Sequence, residues 1–448
     1  MHLQLQGKSI GKITPGKSPP PEELRFMDLH PLKDSLINEL HNRPFPVVDL
    51  PAQVSSLVFL HSGDRQAELD KLTDLAQSHG VDAPSDNADC YYQSFEQFDL
   101  RWEFHNEFST YTAVRRGQPD QPFCKNVFSL LDNDWVANLQ GQLIAANHID
   151  LRPASDAPTT RQDLSQLFND QRLVGSKIYD GLATIWTSVQ SEDDGFIRTL
   201  VVDEGLDPFQ AGRLIRNLLE IAAYRSMTLL ALPTARLLMP EVRHLEQRLV
   251  KTNEKLNQLV TLEDEQALMN ELIAEATQLE KLVADHNFRF SATEAYFNLT
   301  ESRLDMLREQ KMPAIRTLKQ FHVRRFIPAF NTCMSVVKRK ENLSKRISRT
   351  SELLHLRLQL SLETQNQQLL VSMDKRSEIQ LRLQQTVEGL SVIAMTYYSM
   401  SLIELLLKPV VIENYLPISQ GIALAAITPV VFLGAVMLTL RIRKRLHS

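Results

Sequence analysis

Glycine is missing from the middle of this chain: none occurs between Gly212 and Gly389. Proline is almost as scarce there, with only Pro233, Pro240, Pro313 and Pro328. Leu, Glu, Gln, Lys and Arg fill the space, all of them good helix formers. Cysteine is rare as well. Cys90, Cys124 and Cys333 are far apart and odd in number, which excludes a disulfide framework and a zinc-type ligand spacing. Basic charge is not in excess. The net charge of −5 gives no reason to expect a nucleic-acid partner. Residues 1–25 contain no apolar core of the length a secretory signal needs, so none is expected.

Against these absences stand two apolar runs near the C-terminus. The first, Gly389 to Leu407, carries one charge, Glu404, and the second, Ile418 to Leu440, carries none. At about 1.5 Å per residue the second reaches roughly 35 Å, enough for a hydrocarbon core of about 30 Å. The Lys408–Pro417 connection is too short for a folded domain, so a transmembrane helical hairpin (389–407 and 418–440) is expected. Arg441, Arg443, Lys444 and Arg445 follow the second span, and Lys375, Arg376 and Arg382 precede the first. The positive-inside tendency then places both termini in the cytoplasm, with 441–448 as a basic cytosolic tail.

Along the rest of the chain, residues 1–25, with Gly7, Gly11, Gly16 and Pro19 to Pro21, read as a disordered arm. Residues 26–205 read as an α/β cytosolic domain. Helical spacing is expected at Leu32–Leu40 and, through Leu69, Leu72 and Leu75, at Arg65–Ser78. Strands are expected at Val54–Leu60, Tyr91–Phe98, Leu100–Val114, Leu143–Ile149, Leu173–Ile178, Leu182–Val189 and Phe196–Val202. From 206 to 388 the pattern is a helical bundle and a long stalk, divided by its prolines into 209–232, 241–312 and 329–407, with a break near Thr261–Asp264. Nothing between Pro328 and Pro409 stops a helix, which would pass directly into the first span. Such a helix cannot bury its apolar stripe alone, so partner helices and a homo-oligomer are expected. The fold class is an α+β domain, then a helical stalk with coiled-coil character, then the two-helix hairpin.

Four groups of residues invite a chemical reading. Gly11-Lys-Ile-Thr-Pro-Gly16-Lys17-Ser18 matches a phosphate-binding loop in letters, and Leu200-Val-Val-Asp203-Glu204 resembles the acid that would hold magnesium. The loop must leave a buried strand and open a helix. Here Pro19, Pro20 and Pro21 follow at once, without N–H groups and holding the chain extended, so nucleotide hydrolysis is not expected. Glu103, His105 and Glu107 alternate along one expected strand and share a face, as metal ligands or acid/base groups would, or as a solvated strand face would. His30 and Glu39–Pro46 read as a helix end, with His41 and Arg43 suiting the helix dipole. Arg213, Arg216, Glu220 and Tyr224 lie at helical spacing on an otherwise apolar helix and read as a partly buried ion-pair network.

One further group lies in the first span. Tyr397, Ser401 and Glu404 fall at i, i+4 and i+7 and continue to Lys408, a candidate intramembrane polar face. An acid in a membrane helix is placed toward a bundle interior or water, or near the interface beside a cation. No catalytic, cofactor-binding or metal-binding residue is assigned. The lipid bilayer and other copies of the chain are the partners expected, with an ion added in the alternative reading.

Glu39-Leu-His-Asn-Arg-Pro-Phe-Pro46, Glu107-Phe-Ser-Thr-Tyr-Thr112, Gly212-Arg213 with Leu219-Glu220 and Tyr224-Arg225, Leu230–Pro233 and Gln385–Ser391 resemble the landmarks of an uncharacterised bacterial family of membrane-anchored proteins, domain of unknown function 3422. The resemblance runs from about Leu29 to Leu407 and implies a membrane-anchored bacterial protein, with no reaction, ligand or catalytic residue attached. The layout is also similar to CorA-type cation channels. Those carry a Gly-Met-Asn signature after the first span, whereas this chain reads Leu407-Lys-Pro-Val-Val-Ile-Glu-Asn-Tyr-Leu416. The second likeness therefore implies architecture and not magnesium selectivity. A non-enzymatic membrane scaffold is the expected function, and a CorA-like channel lined by the first span is the alternative.

Overall fold

Strand β1 (Ala52–Leu60) is buried along nearly its whole length because helices cover both faces of the sheet it centres. Ala52 and Val54 point to one face and join α4 (Pro208–Leu229) through Leu214, Ile215 and Leu218. Leu57 and Phe59 point to the other and meet Leu69, Leu72 and Leu75 of α1 (Arg65–Ser78). Alternation of this kind is what a two-sided strand requires. A computed structural model describes residues 47–61, 63–117, 121–158, 160–259, 261–412 and 420–446, with His30 and Lys33.

The remaining strands are β2 (Cys90–Ser94), β3 (Asp99–Phe104), β4 (Phe108–Arg116), β5 (Gln142–Pro153), β6 (Val174–Ile178), β7 (Ala183–Ser191) and β8 (Ile197–Asp203). They form one eight-stranded sheet in the order β2-β3-β4-β1-β5-β8-β7-β6. Every pairing is antiparallel except β5 with β8. Two short helices, α2 (Asn133–Ala137) and α3 (Arg161–Leu167), sit in the loops beside β5. The single strand expected over Leu100–Val114 is instead the hairpin β3–β4, turning at residues 105–107. The turn has no glycine or proline to announce it. The expected helix at Leu32–Leu40 lies outside the described residues, Lys33 excepted.

The α1 face carries a buried polar layer. Asp150 accepts from Gln53 Nε2 at 2.9 Å and from Arg152 Nε at 2.6 Å, all three side chains being almost fully enclosed. Next to it the Ser55 hydroxyl lies 2.7 Å from His148 Nδ1 and accepts from the Val127 amide at 2.8 Å. Burial pushes the pKa of His148 down to about 4, against the pull of Asp150. His322, whose Nδ1 meets the Leu318 carbonyl at 2.9 Å, is also pushed down to about 4, by burial and then by Arg225. Each histidine takes up its proton more readily once unfolded, so stability falls as pH drops from 6.5 toward 4. Each should remove about 2 kcal/mol at pH 5 relative to pH 7. Urea unfolding followed by tryptophan fluorescence at the two pH values checks this. His148→Gln should flatten the dependence, and an unchanged midpoint would contradict it.

After the sheet the chain is helical: α4, then α5 (Ala231–Leu256), α6 (Leu262–Met306), α7 (Leu318–Ile412) and α8 (Gln420–Leu446). Three of the expected proline boundaries do not hold. Pro240 lies inside α5, and Pro328 and Pro409 lie inside α7. A proline interior to a helix loses a hydrogen bond and costs about 3 kcal/mol. Burial of Ala235, Leu238 and Val242 against Phe290, Cys333 and Val336 offsets that loss around Pro240. Stacking of Phe297 on Phe326 and Phe330 does so around Pro328. The break expected near Thr261–Asp264 is present, with Thr261 and Asp264 capping one another at the start of α6.

The chain divides into two compact units, Met1–Glu246 with Gln278–Leu343 and Gln247–Thr277 with Ser344–Ser448. In the second unit, Leu249, Leu268, Leu272, Ile347 and Leu354 form the buried seam. Arg357 closes it, donating to Glu265 Oε1 at 2.7 Å and to the carbonyls of Leu256 and Leu259 at 2.9 and 2.7 Å. The Leu256 carbonyl ends α5, where a cation is favoured. From Leu362 to Leu406 the side chains of α7 are exposed or half-exposed throughout.

Candidate functional site

Two groups of residues that stand far apart in the chain meet at one cavity of about 150 Å³. β3 and the following turn supply Glu103 and His105, and α4 supplies Arg216, Glu220 and Tyr224. Ser56, Thr110 and Thr112 complete a polar wall, with Thr112 donating to the Ser56 hydroxyl at 3.2 Å. α4 reaches this place because Asp207 and Gln210 form a capping box with Pro208 in the first turn.

Both cavity carboxylates hold guanidinium partners. Glu103 accepts from Arg101 Nη2 at 2.7 Å. Burial alone would raise the Glu103 pKa, but the Arg101 hydrogen bond and charge, with His105 and Arg216, outweigh it and hold it below the ordinary value. Glu220 accepts from Arg216 Nε at 2.7 Å and from Arg303 of α6. Glu107 turns away from the cavity and takes a two-pronged contact from Arg289 of α6, at 2.5 and 3.3 Å. Tyr224 and Tyr296 stack with ring centres 5.9 Å apart, and Phe108 meets both edge-on. Burial, then Glu220, pushes the Tyr224 hydroxyl up to about 12. The arrangement fastens α4 and α6 to the β3–β4 hairpin. Among the described residues no group of three or more His, Cys, Asp or Glu side chains is placed to hold a metal.

The sequence pattern therefore identified both halves of the cavity without joining them. Arg213, grouped with Arg216 by spacing, is exposed and lines no wall of it. Arg289 and Arg303 were not anticipated. Arg289 lies 182 positions from its partner and Arg303 lies 83, with no local motif to mark either. Residues 11–18 and 39–46 lie outside the described residues.

The expected polar stripe of Tyr397, Ser401 and Glu404 lies on α7. Tyr397 is 70% exposed, and Ser401 and Glu404 are exposed beside it. Val392, Met395, Thr396, Met400 and Ile403 are half-exposed on a different side of the same helix. Among the described residues, two helices are long and apolar enough to cross a membrane, with mean hydropathy of 1.4 in the best window of α7 and 2.3 in that of α8. A family model described as a protein of unknown function (DUF3422) matches residues 28–446. The chain belongs to this family. No curated protein matches it. Within this DUF3422 chain, the landmark residues Glu107, Glu220 and Tyr224 all take part in fastening α4 and α6 to the hairpin.

Proposed function

We propose that the protein is a non-enzymatic, self-associating scaffold of the bacterial inner membrane. It is anchored by spans 389–407 and 418–440, with both termini and the α/β domain in the cytoplasm. The supporting observation is one seam on α7. Leu362, Leu369, Met373, Leu383, Val387 and Leu390 are 49–68% exposed and recur at the a and d spacing of a heptad. The same register continues through Ala394 to Tyr397, Ser401 and Glu404.

An apolar stripe left open over this distance calls for a partner. A second copy fits it best. Anchors in the same bilayer bring two such helices side by side in parallel, so identical positions face each other. A seven-residue repeat drifts about 20° per heptad on a straight helix and holds its face through left-handed supercoiling. Asn366, Arg376 and Gln380 occupy seam positions too, and polar residues there fix register at some expense of stability. Tyr397, Ser401 and Glu404 then lie between the copies, where an intramembrane acid is sheltered from lipid.

Cross-linking in native membranes tests this. In a chain with Cys90, Cys124 and Cys333 replaced by serine, Leu383→Cys should form disulfide dimers under mild oxidant. Gln385→Cys, outside the seam, should form far fewer. Equal yields, or none from either, would overturn the proposal. The exposed acid also favours a second reading, an ion path along the first span. Flux into liposomes that Glu404→Gln abolishes without changing assembly would decide for it.

A further inference from the structure

A cavity of about 930 Å³ is lined by four arginines, Arg172, Arg316, Arg324 and Arg325, and by no aspartate or glutamate. Three separate segments bring them together. Arg172 precedes β6. The connection between α6 and α7 runs along β6, with the Gly175 amide donating to the Arg316 carbonyl at 2.9 Å and Lys177 paired with Gln310. That pairing sets Arg316 beside Arg172. Arg324 and Arg325 follow in the first turns of α7, whose start is fixed by Glu309, which accepts from the Leu318 and Lys319 amides at 2.9 and 2.8 Å.

The third wall is Ser188–Gln190, where β7 leaves its register with β8. Val189 there has φ of 57°. A β-branched residue in that region is a true outlier, and such strain gathers where a loop must be aimed. The charges pressing the Arg316 pKa downward are chiefly those of Arg172, then of Arg324 and Arg325. Four like charges have thus been assembled around one space with no acid on its walls.

We infer that this cleft binds a nucleotide carrying two or more phosphates, with its phosphates on the arginines and its base beside Trp186. Guanidinium forks match phosphate oxygens two at a time. The volume is within the range of small-ligand sites. A neighbouring cavity of about 250 Å³ shares Arg172, Leu173 and Arg316 and adds Trp186 and Gln171. Gly175 permits this: a Cβ there would lie 2.6 Å from Trp186 Cε3, so only glycine lets the indole approach β6. Gln171 Oε1 is buried without a hydrogen-bond partner among the described residues. A base amine would supply its donor while the ring stacks on Trp186. An inorganic phosphate chain would use the arginines alone.

Isothermal titration of the full chain in detergent with ADP, inorganic tripolyphosphate and short-chain phosphatidylglycerol separates the sources. ADP should bind saturably. Replacing Arg324 and Arg325 together by glutamine should weaken it at least tenfold, since it removes two charge-assisted donors to phosphate. Thermal unfolding of that variant should be unchanged, because both side chains are exposed. Trp186→Leu should weaken ADP about tenfold and leave tripolyphosphate within twofold. Should it fail to fold, Gln171→Leu serves the same comparison. Absence of ADP binding, or binding indifferent to the arginine pair, would overturn the inference. So would tripolyphosphate or phosphatidylglycerol binding more tightly than ADP through the same arginines.

Discussion

Glu68→Ala is expected to lower the unfolding free energy of the sheet domain by roughly 4 kcal/mol, the largest single effect on its stability. Glu68 is fully enclosed on α1. Its Oε2 accepts from Trp102 Nε1 at 2.7 Å and from the Tyr111 hydroxyl at 2.9 Å, and its Oε1 from the Ser109 hydroxyl at 3.0 Å. The three donors belong to β3 and β4 and are themselves buried. Removing the acceptor strands all of them, and each orphaned buried donor costs about 1–3 kcal/mol. Burial, then the Glu68 carboxylate, pushes the Tyr111 hydroxyl upward, so that donor keeps its proton. Glu68→Gln keeps the volume and one carbonyl oxygen and should lose less than alanine does. All three tryptophans, Trp102, Trp135 and Trp186, lie between residues 102 and 186, so their fluorescence reports the sheet alone. A loss below about 1 kcal/mol for Glu68→Ala would show that water replaces the carboxylate at little cost.

The second large effect concerns the stalk. Leu369→Lys combined with Leu383→Lys should convert the assembled protein into monomers in detergent. In a two-helix seam the pair of substitutions removes four leucines from the interface. At about 1.5 kcal/mol each this amounts to roughly 6 kcal/mol, or about four decades in dissociation constant. The sheet domain should keep its unfolding midpoint, because both positions are 61–62% exposed and lie on the other compact unit. Multi-angle light scattering distinguishes the outcomes. A double variant with the mass of the unmodified assembly would mean that the open face of α7 is not the interface.

Local chemistry made some elements easy to read. The helix Arg65–Ser78 has its apolar residues three apart and Asp64 as its cap, and both signals lie within one window. The β3–β4 hairpin was hidden because His105-Asn-Glu107 offers neither glycine nor proline, and three polar residues between Phe104 and Phe108 are all that marks the turn. Pro240 and Pro328 misled for a different reason. Their helices are carried by distant contacts with α6 and α7, which no local window contains. The cavity shows the same division. Glu103 with His105, and Arg216 with Glu220, are each visible as a spaced pair. Their meeting depends on α4 crossing a sheet whose strand order is not written in any one segment. The arginine cleft was invisible for the same reason, since its charges come from the approach to β6 and from the start of α7, more than a hundred positions apart.

Insertion of the end of α7 and of α8 into lipid is tested most directly by alkaline carbonate extraction of membranes holding the full chain. The protein should stay in the pellet as an integral membrane protein does, and a chain ending before Gly389 should be released. Release of the full chain into the supernatant would contradict the membrane anchor, and the parallel seam with it.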